Sequence, residues 1–541
     1  MKVPGIRAQL AADPAVGAGN VLLSLLEKGV DPATPGLTFD TAVDGRPAWQ
    51  RLTLGELDEL VRARAATLHA LGVRPRDPVV VSAGTAADVI LSFLALARLG
   101  AIPALLNVKV PAETAALYIR RLRATGILAD AGRRAQLSGL DTGAPMLVPV
   151  EELAGAPEQA PPPYRHHPDD PVAITHSSGT TGVPKAVVHS HSSLYAAIHH
   201  RLLLPVPQGT ERFLSALPAP HVATLIATNQ ALSNGTELAA LSSQAGAGVL
   251  DRIEQWRPTG VLGFAATWSD LAKLDLSERD LDSVSLWWNT GDCAHEAHIR
   301  RLVNVGSRTT FDRDRGRVRE PGSVFIDGLG SSEMGHSHFH ITHTRDSDRY
   351  GRCVGRPHTF AEPAVLDPDG NPLPPGVPGE LGTKSPTLAL GYWNDSVTTF
   401  RTRVNGYFLT GDAVYRDEDG YFYHLDRVVD SVDLGGGLTL YTAMSEEKVL
   451  TACPDVADCT VVAVREDGRT VTDVLLQLAP GRAASADIEA RVRSALGPDV
   501  AATVRQVVVV VDDATIPFGP TGKVRKFALR EQHRAAAGTA S

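Results

Sequence analysis

The chain has 541 residues, a net charge of −9, and 43% hydrophobic against 21% charged residues. That length exceeds what one hydrophobic core fills, so two or more domains are predicted, and the acidic balance without a long basic run excludes nucleic acid as the main partner. Four cysteines, an N-terminus lacking the apolar core of a signal peptide and the absence of any bilayer-length apolar run predict a reduced, cytoplasmic protein with no membrane partner.

Leu54, Leu57, Val61, Ala65 and Leu68 recur at helical spacing, and Gly72 closes the predicted helix. Val79, Val80 and Val81 make a short buried strand, residues 86–99 an apolar helix stopped at Gly100, and residues 102–106 the next strand. This alternation predicts a mainly parallel sheet with helices on its faces. Residues 155–167, which include three consecutive prolines, read as a linker.

The stretch 171–190 organises the rest. Val172, Ala173 and Ile174 read as a buried strand that runs into Ser177, Ser178, Gly179, Thr180, Thr181 and Gly182, followed by Lys185. Two glycines, four hydroxyls and one ammonium supply the peptide donors, small O–H groups and point charge that a polyphosphate needs. The spacing is not that of a Walker loop, because no Ser or Thr follows the lysine. SSGTTGVPK resembles the phosphate-binding signature of the adenylate-forming superfamily, which includes acyl- and aryl-CoA ligases, adenylation domains of peptide synthetases and luciferases.

The resemblance extends over nearly the whole chain. It implies an α/β fold: a large N-terminal domain (1–429) of two mainly parallel αβα subdomains plus a small β subdomain, and a small mobile α+β C-terminal domain (430–541). By the same likeness His221, after a predicted strand at 213–217, gates the acyl pocket, and Gly291 and Asp292 lie against adenine. In VFIDGLGSSEM, Asp327 accepts from the adenine amine, Gly328, Leu329 and Ser332 border the nucleotide, and Glu333 binds magnesium, a hard cation that needs one or two carboxylates beside phosphate. The form DGLGSSEMGH is similar to benzoate-type CoA ligases.

His336, His338 and His340 alternate at strand period and so would share one face. Without a nearby Cys or carboxylate they read as acyl-pocket lining or as packed neutral imidazoles rather than as a metal site, and the likeness to the benzoate-type ligases implies that His221, Gly328, His336 and His338 border the acid. Downstream, the likeness assigns Asp412 and Arg427 to the ribose, Asp430 to the interdomain hinge and Gly435, Gly436 and Gly437 to the CoA tunnel. Lys523 is the match to the adenylation lysine that bridges substrate carboxylate and α-phosphate. Val429 and Asp433 depart from the pattern, since relatives often carry lysine at both places.

What this implies is an ATP-dependent carboxylic acid–CoA ligase, a monomer or homodimer. It would use Mg2+ with ATP and CoA as co-substrates, and act on a ring-bearing acid by way of an acyl-AMP. The departures at Val429 and Asp433, and at Leu329, where many relatives place an aromatic against the base, keep open a specialised member that performs mainly one half-reaction. A non-catalytic nucleotide- or acid-binding protein is the reading from another class.

Overall fold

The computed structural model describes residues 4–177, 182–206, 209–466, 468–510, 516–519, 524 and 526–531. Its first sheet holds seven strands, in the order Gly391–Tyr392, Lys185–Ser190, Pro171–Ser177, Ile102–Leu105, Pro78–Ser82, Gly126–Ala129, Leu147–Pro149. The five from Pro171–Ser177 to Leu147–Pro149 are parallel, and Lys185–Ser190 returns antiparallel against Pro171–Ser177. This hairpin sets Ser177 opposite Lys185, so both flanks of the hydroxyl-rich loop leave from one sheet end.

The second sheet has a parallel core: Pro35–Phe39, Glu237–Ala240, Arg212–Ser215, Gly260–Gly263, Leu286–Asn289 and Val324–Asp327 in spatial order. The antiparallel Phe339–His343 strand continues it into Cys353–Pro357, Phe422–Arg427, Tyr407–Arg416, Gly379–Lys384 and Glu362–Leu366. The expected small β subdomain is therefore joined to the second sheet edge to edge. The α/β class, with a large N-terminal and a small C-terminal domain, is as the sequence predicts.

The Ala86–Arg98 helix is buried along almost its whole length, because it lies in the main core with residues of both sheets around it. That explains an apolar sequence with little helical alternation; a helix covered all round has no solvent face to mark. Residues 155–167 are not a loose connection: Tyr164 N–H donates to the Arg98 carbonyl (2.8 Å) and the Tyr164 ring covers Gly100.

Past the one-turn helix Val428–Asp430, a three-stranded sheet (Val456–Glu466, Arg469–Leu478, Val504–Val509) packs against Thr442–Ala452 and Ile488–Leu496 around a core of its own. This unit docks on the large domain. Glu447 Oε2 lies 2.6 Å from His295 Nδ1, the Ala457 carbonyl lies 2.9 Å from His298 Nε2, and Asp458 meets Ser269 and Lys273. Asp430 pairs with Arg530.

Candidate active site

A cavity of about 1540 Å³ opens where the two sheets and the C-terminal unit meet. Parallel strands deliver side chains to it at their carboxyl ends, where an open α/β sheet leaves a crevice. Thr290, Gly291 and Asp292 follow the Leu286–Asn289 strand; Leu329, Ser332 and Glu333 follow Val324–Asp327. The two loops are tied together, Gly330 N–H donating to the Gly291 carbonyl at 2.8 Å.

At one end stands a charged relay. Asp412 and Arg427 are direct cross-strand neighbours, with Arg427 Nη1 3.2 Å from Asp412 Oδ1. Arg352 donates to His424 Nδ1 at 2.7 Å. A guanidinium has no acceptor, so Nδ1 accepts and the proton of a neutral His424 sits on Nε2, 3.3 Å from the same Asp412 oxygen. Burial opposes ionisation of Asp412, but Arg427 and His424 outweigh it and hold the carboxyl down at about 2. Asp412 is thus a fixed anion at the cavity wall, suited to accept from paired hydroxyls. Arg352 and His424 are additions that the sequence did not single out; the left-handed backbone at Arg352 (φ 61°) gives no sequence signal.

At the loop side, Glu333 accepts from Tyr392 O–H at 3.1 Å, and Lys185 Nζ lies 5.2 Å from the centroid of the same ring. Ser177, Gly182 and Lys185 border the cavity; Ser178, Gly179, Thr180 and Thr181 lie outside the described residues. Among the described residues no cluster of three potential ligands could hold a metal by protein groups alone. One carboxylate beside a phosphate loop fits Mg2+ shared with phosphate oxygens.

Phe518, Gly519 and Val524, which flank Lys523 in sequence, line the cavity, and Lys523 itself lies outside the described residues. The neighbouring Lys526 is half-buried and occupied, 2.7 Å from Glu446 Oε1 and from Thr442 Oγ1.

His221 lines the cavity as the N-cap of Val222–Asn234. Its Nδ1 accepts from Ala223 N–H at 3.1 Å and its ring meets Phe264 edge-on at 4.8 Å. His336 also reaches the cavity.

Several of the expected site residues lie away from the cavity wall. Asp327 does not border the cavity: it is fully buried and already accepts from Asn289 Nδ2, the Gly328 and Ala294 N–H groups and the Cys293 thiol. Gly328 packs against the Phe339 carbonyl and Ser337 beneath the loop, away from the cavity wall that Leu329 forms. His338 has both nitrogens occupied, by Thr383 Oγ1 (2.7 Å) and Thr387 Oγ1 (2.8 Å), and does not line the cavity. The regular strand begins only at Phe339, so His336, His338 and His340 do not share a face; His340 is exposed. Gly435, Gly436 and Gly437 form an exposed turn outside the cavity lining, all with positive φ.

The sequence profile described as AMP-binding enzyme matches residues 36–393. The chain belongs to the AMP-binding enzyme family. A 3-aminoavenalumate diazotase of Streptomyces sp is 46% identical over 97% of this chain and 99% of its own. A feruloyl-CoA synthase of Amycolatopsis sp is 28% identical over 76% of this chain and 80% of its own. A 3-amino-2-hydroxy-4-methoxybenzoate diazotase of Streptomyces cremeus is 29% identical over 76% of this chain and 79% of its own.

 Among solved structures, an anthranilate CoA ligase in complex with anthranoyl-AMP superposes with a TM-score of 0.83 at 20% identity, covering 98% of this chain and 99% of that one. The relay at Asp412 and the Lys185–Glu333 side line one and the same cavity.

Proposed function

We propose that this AMP-binding enzyme activates nitrite with ATP and passes the activated nitrogen to an aromatic amine, so forming a diazonium group. The observation that carries this reading is the likeness to the 3-aminoavenalumate diazotase along nearly the full length of both chains.

The chemistry follows from what a diazonium needs. A second nitrogen must arrive at the oxidation level of nitrite, and nitrite is an oxyanion, so it can take the place of a carboxylate in the adenylation step. One nitrite oxygen attacks the α-phosphorus and the bond to pyrophosphate breaks, which leaves O=N–O–AMP. The amine lone pair then attacks the nitroso nitrogen, the N–O bond breaks, and AMP departs with the electron pair. Loss of the amine proton gives ArNH–N=O, whose tautomer ArN=N–OH is protonated and loses water to yield ArN2+. No protein nucleophile is required; positioning and charge neutralisation supply the rate.

In this reading Asp412, with Arg427 beside it, holds the ribose, and Lys185 with the 177–182 loop cradles the outer phosphates. Glu333 would hold Mg2+, which supplies charge neutralisation at the phosphates when bound. Lys523 would bridge the nitrite and the α-phosphate, and His221 with Phe264 would wall the ring of the amine. Asp430, tied to Arg530, remains the proposed hinge between domains 1–429 and 430–541. The exposed acidic Asp433 beside Gly435–Gly437, and Val429 at the cavity, supply no cation for an anionic CoA arm.

The second reading, an aryl acid–CoA ligase, is favoured by the likeness to feruloyl-CoA synthase. One experiment separates the two. The purified chain is supplied with ATP and Mg2+, with nitrite plus aminoaryl carboxylates in one arm and with aryl carboxylates plus CoA in the other. We expect nitrite-dependent pyrophosphate release and a diazonium trapped as an azo dye by 2-naphthol. Thioester formation with no diazonium would overturn the proposal in favour of the ligase.

A further inference from the structure

Away from the nucleotide end, the cavity wall carries a cation that neither reading has used. Arg201 closes the Ala196–Leu202 helix and lines the cavity. Of its five N–H donors, those on Nη1 meet Gln230 Oε1 at 2.9 Å, and no other acceptor among the described residues takes one. The guanidinium lies over Trp288, 5.0 Å from the ring centroid.

What surrounds it is neutral. Burial holds His336 and His358 below their ordinary range, and the nearby Arg201 charge pushes both further the same way. No carboxylate of the described residues pairs with Arg201, and burial alone pushes its own pKa down to about 10. A half-buried guanidinium without a counter-ion is costly to the fold, and that cost is relieved when a ligand brings the anion.

Its place in the sheet gives the direction. Trp288 stands in the Leu286–Asn289 strand, and the strand leads straight to Thr290, Gly291 and Asp292 at the nucleotide end. Two residues of strand advance about 6.6 Å, and Arg201 stacks on Trp288. The separation suits an aromatic ring with a charged group at one end and a reacting group at the other.

We propose that Arg201 is a specificity-determining residue: it anchors a carboxylate that the substrate keeps through the reaction, so an aminoaryl carboxylate binds with its acid inward and its amine toward the nucleotide. This orientation rests on the diazotase reading. An acid–CoA ligase must turn the carboxylate toward the nucleotide, which leaves Arg201 facing the apolar end of its substrate. Both diazotase relatives are named for compounds that pair an amino group with a carboxylate.

The test compares 3-aminobenzoate and 3-aminocinnamate with their primary carboxamides, by azo-dye formation with wild type, Arg201→Met and Arg201→Lys. We expect wild type to prefer each acid over its amide in kcat/KM by about 30-fold or more. In Arg201→Met that ratio should fall to near unity, chiefly through a higher KM for the acid, and Arg201→Lys should restore part of it. A ratio near unity in wild type, or one that persists in Arg201→Met, overturns the proposal, and the wild-type arm stands even if the methionine variant does not fold.

Should wild type form no diazonium at all, the diazotase reading fails by itself. Tryptophan-fluorescence titration of the same acids and amides with AMP present then decides the anchor separately. Selective weakening of the acids in Arg201→Met supports it, and equal weakening of acids and amides overturns it.

Discussion

At the scale of single residues, Asp412 and Asp327 show two carboxylates driven apart by their surroundings. Asp412 is depressed to about 2, because Arg427 and His424 outweigh the burial that opposes its charge. Its ionised form is the one the fold favours, and that contribution is lost only as pH falls through about 2. ATP affinity should therefore show no titration of Asp412 above about pH 4. Asp412→Asn should raise KM for ATP about 10- to 100-fold, read by pyrophosphate release; an unchanged KM would remove the ribose assignment.

Asp327 goes the other way. Burial raises it to about 6 even though Asn289, Gly328, Ala294 and Cys293 all donate to it. Its folded value lies above that of the unfolded chain, so its protonated form carries the stabilisation. That contribution is complete below about pH 4 and fades as pH rises through about 6. Asp327→Asn sets an N–H group against these donors and should destabilise the protein at acid pH. The penalty should shrink by about 3 kcal/mol between pH 4 and pH 7. Urea midpoints of the two proteins across this range check the sign, and a penalty that does not vary with pH contradicts the ionisation argued here.

At the scale of elements, the turn after Val324–Asp327 presents Glu333 to the cavity because Gly335 closes it. Gly335 has φ +70°, and a Cβ there would lie 2.1 Å from the Thr387 carbonyl oxygen. The Thr387 hydroxyl in turn donates to the Met334 carbonyl and meets His338 Nε2. Gly335→Ala must move this backbone, and Glu333 with it. We expect a loss of about 2 kcal/mol or more in stability together with a raised magnesium requirement, measured as the Mg2+ concentration for half-maximal pyrophosphate release. Stability lost without any change in the magnesium requirement would separate Gly335 from the Glu333 position.

At the scale of the whole molecule, the C-terminal unit is held against the helices Ala265–Ala272 and Glu296–Val303 by a few polar contacts rather than by a continuous core. Glu447 reaches both His295 and the Glu296 N–H at the start of the second helix, where a carboxylate also meets the helix dipole. An interface of this kind suits a domain that docks and releases. Asp458→Ala removes the contacts to Ser269 and Lys273. It should weaken docking by about 1 kcal/mol, seen as faster proteolysis near residues 428–431. Unchanged proteolysis would mean that these contacts do not hold the unit in place.

Local chemistry settled how much could be read without the fold. Hydroxyls and glycines at 177–182 followed by Lys185, the strand-then-acid run ending at Glu333 and the run from Tyr407 to Asp412 are each contiguous in the chain, so each could be matched to a family motif from the sequence. The α/β class came from strand–helix alternation for the same reason. Tertiary structure decided everything that depends on which face of an element is covered. Asp327 and His338 sit in the right segments, yet neighbours distant in sequence already occupy their polar atoms. Arg352 and His424 reach Asp412 only through strand pairing, and Arg201 meets Trp288 across 87 residues because a helix is laid over a sheet. Burial, and the partner that a buried charge finds or lacks, is a property of packing, and no local pattern encodes it.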